Sequence, residues 1–141
     1  MIGILIATHG HLSESLLDAA SMLVSETDFT EAVPFLSGQG VEDLEEAVKE
    51  AVLKLSPNDG ILALVDLPGG SPARAVGRIM FDNKQIELVT GVNLPMLLEV
   101  LMTRNSMIIE ELVDHAIESG TGGIINVGKM IRSASDVSEK K

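Results

Sequence analysis

Four short apolar runs constrain this chain more than any other feature. Ile2 to Ala7, Ala32 to Leu36, Ile61 to Val65 and Ile86 to Thr90 each stop at a glycine-containing loop. Each is strand-length, and each is followed by a segment whose apolar residues recur at helical spacing. Leu16, Leu17, Ala20, Leu23 and Val24 share one such face, with Ser13 as the cap. Val41, Leu44, Val48, Ala51, Val52 and Leu55 share a second, opposite the acids Glu42, Asp43, Glu45, Glu46 and Glu50. Ser56-Pro57-Asn58-Asp59-Gly60 breaks that helix. Ser71-Pro72 reads as an N-cap followed by proline at the first helical position, opening a helix to about Met80. Asn93 is a cap for the apolar segment from Leu94 to Met102. Ile108, Ile109, Leu112, Val113, Ala116 and Ile117 form a last amphipathic face, closed by Gly120 at C′. Ile124 to Val127 reads as a short fifth strand.

Strands alternating with helices predict an α/β fold with a parallel sheet. The 141 residues correspond to one domain, taken as residues 1–130, followed by a polar tail at 131–141 that is expected to be frayed from Ser133 to Lys141. Aromatic residues are only 2% of the chain against 45% apolar, so aliphatic side chains must build the core. A buried parallel sheet suits that composition.

Charge and cysteine content exclude several functions. The net charge of −11 argues against nucleic acid or anionic lipid as a direct partner. The absence of cysteine removes disulfides, thiol nucleophiles and cysteine metal sites. Met1 to Ala7 is too short to span a membrane and lacks a basic leader, so a cytoplasmic location is expected. No cofactor is expected.

In open parallel sheets, ligands gather beyond the carboxyl ends of the strands, near the switch point. His9 and Asp66 both sit at such ends. With strands one and three as neighbours, in the order 2-1-3-4, their side chains meet. Neutral imidazole is a nucleophile near pH 7, and a carboxylate can hold one ring nitrogen protonated while the other attacks. Gly69 and Gly70 let backbone N–H groups approach an anion, and Ser71 opens a helix whose N-terminus favours negative charge. The loop lacks the lysine of a G-x-x-x-x-G-K-[ST] phosphate loop. From spacing alone, a plain turn with a helix cap, a loop histidine and a capping carboxylate remain equal alternatives. His9-x-His11 lacks a third metal ligand at a characteristic spacing, so no metal is assigned and His11 is placed on the exposed loop. His115 is placed on the solvated side of its helix. Arg74 and Arg78 are read as pairing with surface acids, and Met96, Met102 and Met107 as core filling.

Three motifs together carry a family resemblance: Thr8-His9-Gly10, Leu64-Val65-Asp66 with Gly69-Gly70-Ser71-Pro72, and Gly91-Val92-Asn93-Leu94-Pro95-Met96. The chain resembles the enzyme IIA components of the mannose-type (mannose/fructose/sorbose) bacterial sugar phosphotransferase system (PTS) over roughly residues 1–130. That resemblance implies a phosphotransferase working through a phosphohistidine. His9 would take a phosphoryl group from phospho-HPr and pass it to a IIB component, which serves sugar uptake through membrane IIC and IID subunits. Asp66 would orient His9, and Thr8, Gly69, Gly70 and Ser71 would bind the phosphoryl oxygens. The resemblance also implies a homodimer, with a four-stranded core and a C-terminal strand at Ile124 to Val127 exchanged between partners. The chain departs from the pattern at Pro68, where many relatives carry a large aromatic residue. It also stops at Lys141 without the linker of fused relatives, so a free-standing IIA is expected.

Other readings share the same residues. One is the phosphotransfer subunit of a phosphoenolpyruvate-dependent dihydroxyacetone kinase system. A histidine phosphatase is disfavoured because Thr8 stands where an arginine is needed. The last is a regulatory module that binds an anion without covalent transfer.

Overall fold

Residues Gly3–His9 form β1, the strand that organises the sheet. All but His9 are fully buried, because β1 has a strand on either side and helices on both faces. The computed structural model describes residues 1–56 and 59–139; side-chain placement is described to residue 135. Pro57 and Asn58 of the expected helix break, and Lys140 and Lys141 of the tail, lie outside the described residues.

The elements follow in order: α1 (Leu12–Ser21), β2 (Thr30–Phe35), α2 (Val41–Leu55), β3 (Ile61–Val65), α3 (Ser71–Met80), β4 (Ile86–Thr90), α4 (Leu94–Thr103), α5 (Ile109–Gly122) and α6 (Val127–Glu139). The sheet is wholly parallel with order β2-β1-β3-β4, as expected. Alternation along β1 sends Leu5 and Ala7 to one face and Ile4 and Ile6 to the other. Leu5 and Ala7 pack with Leu44, Val48 and Val76 of α2 and α3. Ile4 and Ile6 pack with Ala20, Leu97, Val100 and Leu112 of α1, α4 and α5.

Asn93 caps α4, accepting the Met96 N–H at 3.0 Å, and its Nδ2 donates to the Gly120 carbonyl at 3.0 Å. Gly120 is not the C′ residue of α5. It lies buried inside that helix, where a Cβ would come within 2.7 Å of the Met96 side chain. The glycine serves the close approach of α5 to α4. Ser13 is not the cap of α1 either. The helix starts one residue earlier, and the Ser13 N–H donates to Thr8 Oγ1 at 2.7 Å. Met96 is core, whereas Met102 is largely exposed, because α4 contacts the body on one side only at that point.

The fifth strand is absent from the described residues. Residues 124–126 are irregular, and Val127 begins α6. Asn126 decides this locally: its side chain accepts the Lys129 N–H at 2.9 Å, and its carbonyl accepts the Met130 N–H at 3.3 Å. The expected frayed segment from Ser133 is therefore helical as far as Glu139.

Candidate functional site

The register of the sheet places the two candidate residues together. Ala7 of β1 pairs with Val65 of β3, so His9 and Asp66 leave adjacent strands at the same end of the sheet. β2 lies on the other side of β1, which makes this end the switch point. Asp66 Oδ2 lies 2.8 Å from His9 Nδ1. The same oxygen accepts the His9 backbone N–H at 2.9 Å, and Oδ1 accepts the Leu67 N–H at 3.0 Å. Burial of Asp66 disfavours its charge. The N–H bonds from His9, the imidazole and the Leu67 N–H outweigh that penalty and hold the carboxyl below its ordinary range. An ionised carboxylate can only accept, so the 2.8 Å contact is a hydrogen bond when Nδ1 carries a proton; in the neutral ring Nε2 then holds the lone pair.

Nε2 faces the start of α3. A Cβ built on Gly70 would lie 3.0 Å from His9 Cε1 and 3.4 Å from Nε2. Gly70, not Ser71, is the N-cap, with φ of +107°, a conformation that suits glycine. Ser71 is the first helical residue and Pro72 the second, one position later than the sequence suggests. The helices α2 and α5 carry acids in their first turns: Asp43 accepts the Gly40 N–H at 3.0 Å and Glu111 the Ile108 N–H at 3.2 Å. The first turn of α3 holds no acid and no side-chain cap, so its N–H groups stay available beside Nε2. Gly69 is exposed with open space around it.

The other candidates fall elsewhere. The Thr8 side chain is fully buried and caps α1 from within, rather than lining the open face. His11 is exposed and pairs with Glu14 at 2.8 Å. Arg78 pairs with Glu45 at 2.7 Å, whereas Arg74 is exposed and has no ion pair among the described residues. His115 is not simply solvated: its Nε2 lies 3.1 Å from Glu99 Oε2, tying α5 to α4 beside a cavity of about 620 Å³ that does not include His9.

Two residues escaped the sequence reading. Phe35 sits edge-on to the His9 ring, with centroids 6.2 Å apart and planes at 62°. Arg104 is 2% exposed and donates to the carbonyls of Ile2, Asp28 and Phe29 and to Thr30 Oγ1. It serves the opposite end of the sheet from His9, where it satisfies loop carbonyls. No signal in a lone arginine after an apolar helix marks either burial or this role.

Comparison with known proteins agrees with the fold and gives the family. A family model described as "PTS system fructose IIA component" matches residues 3–117. The mannose-specific EIIAB component of Escherichia coli (strain K12) is 41% identical over 124 residues, covering 87% of this chain. The chain spans only 38% of that relative's length. The fructose-specific EIIA component of Bacillus subtilis (strain 168) is 32% identical, with 82% of this chain and 79% of that protein covered. Among solved structures, the EIIA component from Streptococcus agalactiae superposes with a TM-score of 0.84 at 26% identity, covering 92% of this chain and 99% of the other. A PTS IIA protein associated with the fucose utilization operon of Streptococcus pneumoniae superposes with a TM-score of 0.79 at 31% identity, covering 92% and 95%. The sequence and the strand order thus converge, and the chain belongs to the mannose-type family of PTS enzyme IIA components.

Proposed function

We propose that this chain is a phosphoryl carrier of a sugar phosphotransferase system, with His9 Nε2 as the acceptor atom. The observation that carries the reading is the pairing of His9 Nδ1 with Asp66 at 2.8 Å, with the Nε2 edge against the uncapped start of α3. His9 has 46% of its side chain exposed, which suits a nucleophile whose substrate is borne on another protein. Phospho-HPr is the donor and a IIB component the acceptor.

In the first transfer, the Nε2 lone pair of His9 forms the new N–P bond. The donor's N–P bond breaks, and its electron pair stays on the donor nitrogen. The Nδ1 proton remains on His9, so the ring gains positive charge, which the Asp66 carboxylate offsets. The N–H groups of Ser71 and Ala73 and the Ser71 hydroxyl donate to the phosphoryl oxygens; Pro72 offers no N–H. Catalysis of this kind rests on in-line positioning and on fixed dipoles rather than on covalent help from the protein. The second transfer is the reverse of this step with the IIB nucleophile as acceptor.

Intact mass after incubation with phosphoenolpyruvate, enzyme I and HPr tests the reading. Wild type and His11→Ala gain one phosphoryl group, and His9→Ala gains none. Labelling of His9→Ala at the wild-type rate, or no gain in wild type, rejects the carrier role.

A further inference from the structure

The carrier chemistry leaves one contact at His9 without a role. Phe35 is the last residue of β2, and parallel register sets it directly across from His9. The Gly10 N–H donates to the Phe35 carbonyl at 2.8 Å, so the backbone ties the two residues together on the far side of the strand end as well. The Phe35 side chain is half-buried and packs against the core under α2 and α3. It cannot swing away without exposing apolar surface.

Asp66 fixes Nδ1, but a single acceptor oxygen leaves the imidazole free to tilt about that hydrogen bond. Gly70 borders Cε1 and Nε2 with backbone alone. The Phe35 ring stands edge-on to the imidazole at 6.2 Å, on a path along which the ring would tilt. Tilt matters here for two reasons: the Nε2 lone pair must point in line at phosphorus, and the Nδ1–H bond must stay intact to hold the tautomer.

We propose that Phe35 is a positioning residue for His9, holding the imidazole plane so that Nδ1–H stays on Asp66 and Nε2 faces the incoming phosphoryl group. The rate arm of its test rests on the carrier reading; the spectroscopic arm does not.

The experiment compares the full chain as wild type, Phe35→Leu, Phe35→Met and Phe35→Tyr. Nitrogen-15 NMR reads the two ring nitrogens of His9, and single-turnover transfer from phospho-HPr is measured against HPr concentration. Wild type shows one tautomer, protonated at Nδ1. Phe35→Leu and Phe35→Met show shifts averaged between tautomers, and their limiting transfer rate falls about three- to tenfold, the range of one aromatic contact. The half-saturating HPr concentration stays unchanged, and Phe35→Tyr restores both shifts and rate. Wild-type shifts and rate in both Leu and Met variants overturn the proposal. So does a change confined to the half-saturating concentration, which places Phe35 in docking. If wild type accepts no phosphoryl group, the carrier reading fails, and the nitrogen shifts alone decide for or against Phe35.

Discussion

One carboxylate oxygen of Asp66 serves His9 twice, taking its backbone N–H at 2.9 Å and its ring Nδ1 at 2.8 Å. The first bond sets the loop and the second sets the ring, so position and tautomer of the imidazole are linked through one atom. Asp66 is held in turn by the Leu67 N–H and by burial to 12% exposure.

Asp66→Asn therefore strikes the site at its hinge. The amide keeps the shape but loses the charge that offsets the phosphorylated ring. The transfer rate from phospho-HPr falls on the order of 10²-fold, and the thermal midpoint falls too, because the amide nitrogen cannot accept the N–H bonds that a carboxylate oxygen takes. Rapid-quench labelling reads the rate, and circular dichroism the fold.

Neighbouring glycines behave differently. At Gly70, φ is +107° and a Cβ would press on His9 Cε1 at 3.0 Å. Gly70→Ala costs about 1–3 kcal/mol in urea unfolding and slows labelling. Gly69 has no such φ and nothing within 4 Å, so Gly69→Ala stays within about 0.5 kcal/mol of wild type.

Acid weakens the fold through Asp66. Its folded carboxyl lies below the ordinary range, so the unfolded state takes up the proton first as pH falls. The stabilisation is complete above about pH 4, the unfolded value for aspartate, and is lost as pH falls through the lower folded value. Urea midpoints measured from pH 6 to pH 2 fall less steeply in Asp66→Asn than in wild type.

Arg104→Met strips donors from three loop carbonyls at the far end of the sheet. Burial pushes the guanidinium below its usual range, yet it stays charged and bonded. The variant loses about 2–4 kcal/mol of stability, while labelling of His9 per folded molecule is unchanged. A loss of labelling without loss of stability would contradict this assignment.

His9 and Asp66 were legible because apolar runs stop there, and strand ends are where such sheets place ligands. Ser71 was misplaced by one residue, since proline is tolerated at either of the first two helical positions and only backbone dihedrals choose between them. Thr8 rather than Ser13 caps α1 because a hydroxyl reaches a helix N–H five residues along once the loop folds back. Asn126 outweighed the strand-like Ile124-Ile125 pair because a helix needs only its own residues, whereas a strand needs a neighbouring edge.

The pattern along the chain by itself determined the four strands and the first five helices, and that His9 and Asp66 end two of those strands. That information is local: it comes from apolar period, chain breakers and capping residues. Tertiary structure alone decided that Phe35 stands across from His9 and that Arg104 is buried. These depend on contacts between residues from 26 to 102 positions apart, from His9 with Phe35 to Ile2 with Arg104, and no local rule carries them.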